Sequence, residues 1–278
     1  MKHYRYFLKK IFINFINFIL FFEIFRRIFS RIHSLQMQNE KTIKVDNKIL
    51  KFINFNSLTN FRINTFFIKE PDTLKWINTF NENDIFWDIG ANIGLYSIYA
   101  AKIKNTRTFA FEPSVFNLEL LARNIFLNNL SDKITIIPNP LNDSNKISKF
   151  QLSSIEYSSA LSVFDKNHNQ FGNEFKMNFE YYFNSFTIDA MIKSYDLKTP
   201  SHIKIDVDGL EHLVLAGGIL TLPYLKSILI ETNDFFIEQS EEIIKILKKN
   251  KFRLQTKSQI SNENGVKMYN QIWINSEI

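Results

Sequence analysis

The stretch from Asp84 to Ala101 constrains this chain more than any other. Ile85, Phe86 and Trp87 form a short apolar run that ends at Asp88. A turn of small residues follows, and Leu95, Ile98 and Tyr99 then recur at helical spacing. The order is strand, glycine turn, helix. In an open α/β sheet, ligands bind beyond the carboxyl ends of the strands, so this turn marks where a nucleotide-like cofactor would sit.

Two positions select among cofactors. A dinucleotide loop takes the form Gly-x-Gly-x-x-Gly, because its second glycine lets the backbone touch a pyrophosphate. Here Asn92 stands at that position, and the spacing is Gly90-x-x-x-Gly94, with Ala91 beside the first glycine. Asp88 at the strand end would repel a pyrophosphate and attract an ammonium or sulfonium. S-adenosylmethionine has a ribose, an adenine, a sulfonium and a free amino group, and no phosphate. One βα unit downstream, Thr108 to Phe111 reads as a short strand ending in Glu112. A doubly wound fold places there the acid that accepts hydrogen bonds from ribose hydroxyls. Strand-end acids also cap helices, and that account of Asp88 and Glu112 stands beside the first.

At 278 residues the chain suits one large domain or one domain with appendages, and 45% hydrophobic residues supply a core. Heavy use of Phe, Ile, Asn and Lys is read as a bias of the coding genome. The net charge is +6, and much of it is local: Lys2, Arg5, Lys9, Lys10, Arg26, Arg27 and Arg31 share the first segment with one acid, Glu23. The remainder is close to neutral, so no nucleic-acid partner is expected. The chain has no cysteine, which excludes disulfides and thiolate metal sites and leans toward the cytoplasm.

Residues 1–33 are apolar and aromatic, and Ile11 to Phe25 is broken only by Asn14, Asn17 and Glu23. The run is shorter than the roughly 20 residues a spanning helix needs, and basic residues flank it on both sides. It lacks a small-residue cleavage site. We expect one helix lying on the inner membrane surface, with Lys and Arg against anionic headgroups. A helix packed on the protein or on a second copy is the competing account, and a spanning anchor the third.

Residues 34–83 read as a lid or cap: a polar linker over 34–41, a hairpin from Ile43 to Phe55 around Asp46-Asn47, and a helix opened by Glu70-Pro71. Residues 84–278 form the main domain. Within it, Val115 to Leu127 is helical and Ile134 to Ile137 is a third strand, followed by Asn139 and Asp143 near where an adenine would lie. Residues 140–186 alternate as short antiparallel strands, an insert that overhangs the strand ends and would form the acceptor pocket. His168 lies in it.

The second informative stretch runs from His202 to Gly218. Ile203 to Val207 is a strand, and Leu210, Leu213 and Val214 mark a helix. Lys204 and Asp206 fall on one face by the period of two. A lysine on a central parallel strand is covered on both sides and needs a carboxylate partner. Asp206 would face the sulfonium or the acceptor. Glu231, ending the strand Ser227 to Glu231, is a partner for Lys204 or a second polar group at the site. Asp208 is placed as a helix cap. Asp206-x-Asp208-Gly209 departs from a calcium loop, because its glycine comes too early and the twelfth-position glutamate is missing, so no metal is expected. A helix from Phe236 to Lys249 and strands Phe252 to Lys257 and Lys267 to Ile274 close the chain, the last two as an antiparallel edge pair completing seven strands.

With these stretches together, the sequence resembles the FkbM family of S-adenosylmethionine-dependent methyltransferases. The resemblance is carried by Phe86-Trp87-Asp88-Ile89-Gly90-Ala91-Asn92-Ile93-Gly94, by Phe109-Ala110-Phe111-Glu112-Pro113, and by Ile203-Lys204-Ile205-Asp206-Val207-Asp208-Gly209-Leu210-Glu211 with Ile230-Glu231 behind it. It covers about residues 69–275. Asp208 departs from the family, where glutamate is more common. The resemblance implies a class I methyltransferase (Rossmann-like) α/β fold: a seven-stranded, mostly parallel sheet with helices on both faces. It also implies methylation of a hydroxyl on a sugar, glycan or related metabolite.

On our reading, Asp88, Gly90, Ala91, Asn92, Gly94, Glu112 and Asn139 hold the cofactor. Asp206, and after it Glu211, is the candidate base. Two alternatives remain: an NAD(P)-dependent oxidoreductase, which Asn92 and Asp88 oppose, and a membrane-tethered cofactor-binding protein without turnover. The expected location is the cytoplasm, at the inner membrane face if the first helix binds lipid.

Overall fold

The computed structural model describes residues 2–160, 162–165, 175–233, 236–263 and 266–278, and His168 lies outside them. Two helices, α1 (Lys2–Leu20) and α2 (Glu23–Gln36), replace the single helix expected over 1–33. Extended backbone at Phe22 (φ −83°, ψ 124°) separates them. Among the described residues no helix is long and apolar enough to cross a membrane.

The strand β1 (Glu40–Val45) turns through Asp46, in left-handed conformation at φ 50°, into β2 (Lys48–Ile53). The helix α3 (Ser57–Asn64) starts from a capping box in which Asn56 and Thr59 exchange hydrogen bonds. It leads to the single turn α4 (Phe66–Lys69) and to α5 (Pro71–Asn78), where Pro71 occupies the first turn and its missing N–H costs least.

The main sheet then builds as β3 (Ile85–Ile89), α6 (Leu95–Lys104), β4 (Arg107–Phe111), α7 (Val115–Leu127) and β5 (Ile134–Ile137). A three-stranded insert follows, β6 (Lys146–Leu152), β7 (Ser162–Phe164) and β8 (Phe179–Ser185), ordered β7-β6-β8 and antiparallel. The chain returns through α8 (Ile188–Tyr195), β9 (His202–Ile205), α9 (Glu211–Ala216), β10 (Ser227–Asn233), α10 (Ile237–Lys249), β11 (Phe252–Glu263) and β12 (Val266–Asn275).

Among the described residues the sheet order is β11-β12-β10-β9-β3-β4-β5, with β12 antiparallel to both neighbours and the central pairs parallel. This is the class I methyltransferase arrangement. Successive residues of β3 face opposite layers. Phe86 packs with Phe52, Trp76, Phe80 and Ile98 on one side, and Trp87 with Phe111, Ile203, Ile228 and Trp273 on the other.

Two polar arrangements fix the first layer. At the amino end of the sheet, His202 meets Asp84 Oδ2 at 3.1 Å and Ser227 Oγ at 2.7 Å, while Phe80 stacks on its ring at 3.8 Å. Burial pushes His202 down to about 4. On the hairpin, the outer edge of β2 is met by asparagines of the α7 region. Ile53 N donates to Asn124 Oδ1 (2.8 Å), Lys51 N donates to Asn128 Oδ1 (3.0 Å), and Asn128 Nδ2 returns a bond to Lys51 O (2.7 Å).

Candidate active site

A cavity of about 370 Å³ opens at the carboxyl ends of β3, β4, β9 and β10, roofed by the insert and walled by α3 and α4. This is where an open parallel sheet presents ligands. Of the residues singled out from the sequence, Gly90, Ala91, Asn92, Glu112, Asn139, Asp206 and Glu231 line it. Asp88, Gly94 and Glu211 do not.

The turn is tightly constrained. Gly90 has φ +86°, and a Cβ there would lie 1.8 Å from the carbonyl oxygen of Asp206, so the end of β9 leaves room only for hydrogen. Gly90 N and Ala91 N both donate to Phe111 O at 3.0 Å, and Asn92 N donates to Glu112 Oε2 at 2.8 Å. These three backbone donors are therefore engaged within the protein, where a pyrophosphate loop would aim them outward. The side chain of Asn92 reaches the roof: Nδ2 donates to Ser159 O at 3.0 Å, and Oδ1 accepts from Ser158 Oγ at 3.3 Å.

Glu112 takes Ser114 N on its other oxygen at 2.9 Å. Burial pushes its carboxyl up to about 7, against the pull of these backbone donors. Each carboxylate oxygen has two lone pairs, so capacity remains for ribose hydroxyls. Asn139 is steadied by donating from Nδ2 to Asn184 O at 3.0 Å.

Asp88 sits differently from its expected place at the strand tip. Strand β3 runs one residue further, to Ile89, and alternation turns Asp88 under α6, where it is 1% exposed. Its Oδ2 accepts from Ser97 Oγ at 2.5 Å, and its Oδ1 has no hydrogen-bond partner among the described residues. Burial raises its carboxyl, opposed by the charge of Lys204, its register partner on β9.

Lys204 is 1% exposed and donates to Asp206 Oδ2 at 2.6 Å, with its Nζ 5.2 Å from the Tyr96 ring centroid. The carboxylate that the buried lysine requires is thus Asp206, one residue beyond the end of β9 and 28% exposed. Burial would raise Asp206, yet the charge and hydrogen bond of Lys204 outweigh it and hold the carboxyl below its usual range. Glu231 stays free to line the cavity.

Glu211 folds back on its own loop: Oε1 accepts from Val207 N at 3.0 Å and Gly209 N at 3.1 Å. Asp208 does not cap α9, whose N-cap is Leu210. Its backbone is left-handed at φ 57°, and its Oδ2 accepts from Ser162 N of the insert at 3.2 Å. Sequence reasoning assigned no chemistry to residues 34–83, but Arg62, Lys69 and Glu70 line the cavity. Glu70 is anchored by Asn270 Nδ2 at 3.0 Å and Thr73 Oγ1 at 3.3 Å. A contact between Glu70 and Asn270 leaves no local sequence signal.

The residues present fit S-adenosylmethionine. Among the described residues of the lining, the acids Glu70, Glu112, Asp206, Asp208 and Glu231 outnumber the bases Arg62, Lys69 and Lys204, a balance suited to a cation. The turn has no Cβ where it is tightest and spends its amides internally.

The chain is 29% identical over 154 residues to the hexuronic acid methyltransferase AglP of Haloferax volcanii, a match covering 54% of this chain and 56% of that protein. It therefore spans about half the length of that relative. Among solved structures, precorrin-6y C5,15-methyltransferase from Geobacter metallireducens is 14% identical with a TM-score of 0.45, covering 74% of this chain and 87% of the other. TYW2 of M. jannaschii, in complex with AdoMet, is 14% identical with a TM-score of 0.43, covering 85% and 87%. The methyltransferase FkbM domain matches residues 88–254, from the strand that carries Asp88 to the start of β11. More than half of the chain, including the glycine turn, Glu112 and the Lys204–Asp206 pair, lies in that match, and the chain belongs to the FkbM methyltransferase family.

Proposed function

We propose that the protein is an S-adenosylmethionine-dependent O-methyltransferase whose acceptor is a hydroxyl of a sugar, glycan or related metabolite. The observation that carries this reading is a shared cavity in which the Gly90–Asn92 turn and Glu112 face Asp206 and Glu231 under the insert. When bound, the cofactor supplies a methyl group made electrophilic by its sulfonium sulfur.

The chain's own residues do the rest. The carboxylate of Glu112 accepts from ribose hydroxyls, and Asn139 lines the side assigned to the adenine. The Gly90–Asn92 turn packs against the methionine portion, with Asp88 behind it adding negative potential. Asp206, fixed by Lys204, takes a hydrogen bond from a neighbouring hydroxyl of the acceptor and so orients the reacting oxygen. Alignment of this kind supplies about 7–11 kcal/mol of rate enhancement, more than a base alone contributes. Glu211 braces the loop that carries Asp206 and Asp208.

The helices α1 and α2 and the turn between them expose Phe12, Phe15, Phe18, Phe21, Ile24 and Phe25 beside Lys9, Lys10, Arg26, Arg27 and Arg31. This combination supports a peripheral site on an anionic membrane, where glycan precursors on lipid carriers would be within reach.

The cofactor reading is tested by calorimetry. S-adenosylmethionine and its demethylated product should bind and NADH should not. The acceptor reading is tested by incubating the protein and labelled S-adenosylmethionine with glycan extracts. Label should enter a base-stable ether. Cofactor binding with no transfer to any glycan would favour a protein without turnover.

A further inference from the structure

Glu231 is the carboxyl of the cavity that receives no hydrogen bond from any of the described residues. It directly follows the part of β10 that pairs with β9, as Asp206 directly follows the paired part of β9, and no described residue donates to either of its oxygens. Among the charged groups that line the same cavity, the acids outnumber the cations Arg62, Lys69 and Lys204, of which Lys69 pairs with Glu70. Asp206 and Asp208 follow β9, Glu211 opens α9, and Glu70 precedes α5. Its partner on β12 is the uncharged Asn270, whose side chain is turned to Glu70. The buried cation among the described residues of the cavity, Lys204, is committed to Asp206. Burial first, and then the charges of Asp206, Glu211, Glu70 and Asp208, hold the Glu231 carboxyl well above the usual carboxylate range.

Resting on the reading of the cavity as an S-adenosylmethionine site, we propose that Glu231 carries the exchangeable proton of the reaction. It is protonated in the cofactor-free protein, loses its proton on binding of a sulfonium, and regains one from the acceptor hydroxyl during methyl transfer. Opposite charge brought into a low-dielectric cavity favours the ionised form of a carboxyl, which makes loss of the proton a consequence of binding. In the transfer, the carbon–sulfur bond breaks with its electron pair going to sulfur. The acceptor oxygen forms the new bond to carbon, and its proton passes to the Glu231 carboxylate. Sulfur has then lost its positive charge and Glu231 its negative one, so the product state needs no counter-ion. Asp206 is poorly suited to the same role, because Lys204 holds its carboxylate ionised and occupied.

The test is proton release on binding, measured with the full chain by titration calorimetry at neutral pH in buffers of different ionisation enthalpy. S-adenosylmethionine is compared with S-adenosylhomocysteine, which has the same ribose and adenine without the sulfonium charge. The expected result is release of close to one more proton with S-adenosylmethionine than with S-adenosylhomocysteine. Glu231→Gln should erase that difference while binding S-adenosylhomocysteine within about threefold of the native affinity, which reports an intact fold. Glu231→Asp should restore it. Equal release with both ligands, or a difference that survives in Glu231→Gln, would overturn the assignment and leave the cofactor reading standing. Binding of neither ligand would overturn both.

Discussion

Lys204 Nζ lies 2.6 Å from Asp206 Oδ2, so a lysine on a central strand is neutralised by a carboxylate two residues further along the chain, just past the end of that strand. The pair sits between Asp88 on β3 and Glu231 on β10, and it sets which acids in the cavity are held and which are available.

Removing one partner should therefore cost stability as well as activity. Asp206→Asn strands the lysine in a buried site. Fully buried pairs lose about 3–5 kcal/mol on such a change, and here about 2–3 kcal/mol is expected, because Asp206 reaches water and Asp88 remains nearby. Lys204→Met combined with Asp206→Asn should recover much of that loss. Urea unfolding of the two single variants and the double variant measures the coupling, and strictly additive effects would contradict the pairing.

The glycine turn makes a graded prediction. Gly90→Ala places a methyl 1.8 Å from the backbone oxygen of Asp206, which cannot move without displacing β9. Gly94→Ala meets the end of a flexible side chain, Leu121 Cδ1, at 2.5 Å. Both sites have positive φ, which costs about 1–2 kcal/mol for alanine. Gly90→Ala should yield little folded protein, whereas Gly94→Ala should fold with a lowered melting temperature. Equal expression and stability of the two would refute the close approach.

Much of this was legible in the sequence because it is local. The β-branched and aromatic runs bounded by Gly, Asn and Pro define the strands, and period-two alternation puts Lys204 and Asp206 on one face. What was not legible depends on registers and boundaries. A strand end displaced by one residue puts Asp88 behind the turn. The break at Phe21–Phe22 carries neither Gly nor Pro to announce it. The choice of Asp206 over Glu231 as the partner of Lys204 follows from the placement of β9 beside β10. Glu70 meets Asn270 only because α5 docks beside β12.

Cofactor affinity should depend on pH through Glu112. Its carboxyl is raised to about 7, chiefly by burial, and accepting hydrogen bonds from ribose favours the ionised form. Below that pH binding must first expel a proton, so the affinity for S-adenosylhomocysteine should fall up to about tenfold per pH unit and level off above neutrality. Calorimetric affinities between pH 5.5 and 8.5, roughly bracketing that transition, would show it. Glu112→Gln should bind more weakly with a flatter profile.

His202 predicts an effect of opposite sign on stability. Burial lowers it to about 4, against an ordinary value of 6.5, so between these values the unfolded chain binds the extra proton. The contribution is fully present above the unfolded value and is lost as pH falls, by at most about 3 kcal/mol. Glu112 and Glu211 run the other way, since their raised carboxyls favour folding at lower pH. The measurement is consequently the difference in unfolding free energy between the native chain and His202→Asn from pH 7 to pH 4. The gap should shrink as pH falls, and a constant gap would count against a neutral buried imidazole.

The N-terminal helices offer a binding test. Full-length protein should co-sediment with vesicles containing anionic lipid, while a chain starting at Leu35 should remain in the supernatant. Each Lys or Arg near the surface is worth about 1 kcal/mol at low salt, so added salt should weaken recovery. Equal recovery of both chains would remove the membrane from the reading.

The asparagines that close the outer edge of β2 have a consequence for solubility. A strand edge with unmatched amides is a template on which another chain can add, and a hairpin standing apart from the main sheet is the natural place for that to begin. Here Asn124 and Asn128 act as surrogate backbone, presenting amide groups to Lys51 and Ile53 from a helix that cannot itself be extended sideways. In a chain so rich in phenylalanine and isoleucine, asparagine supplied by composition thus protects against runaway self-association.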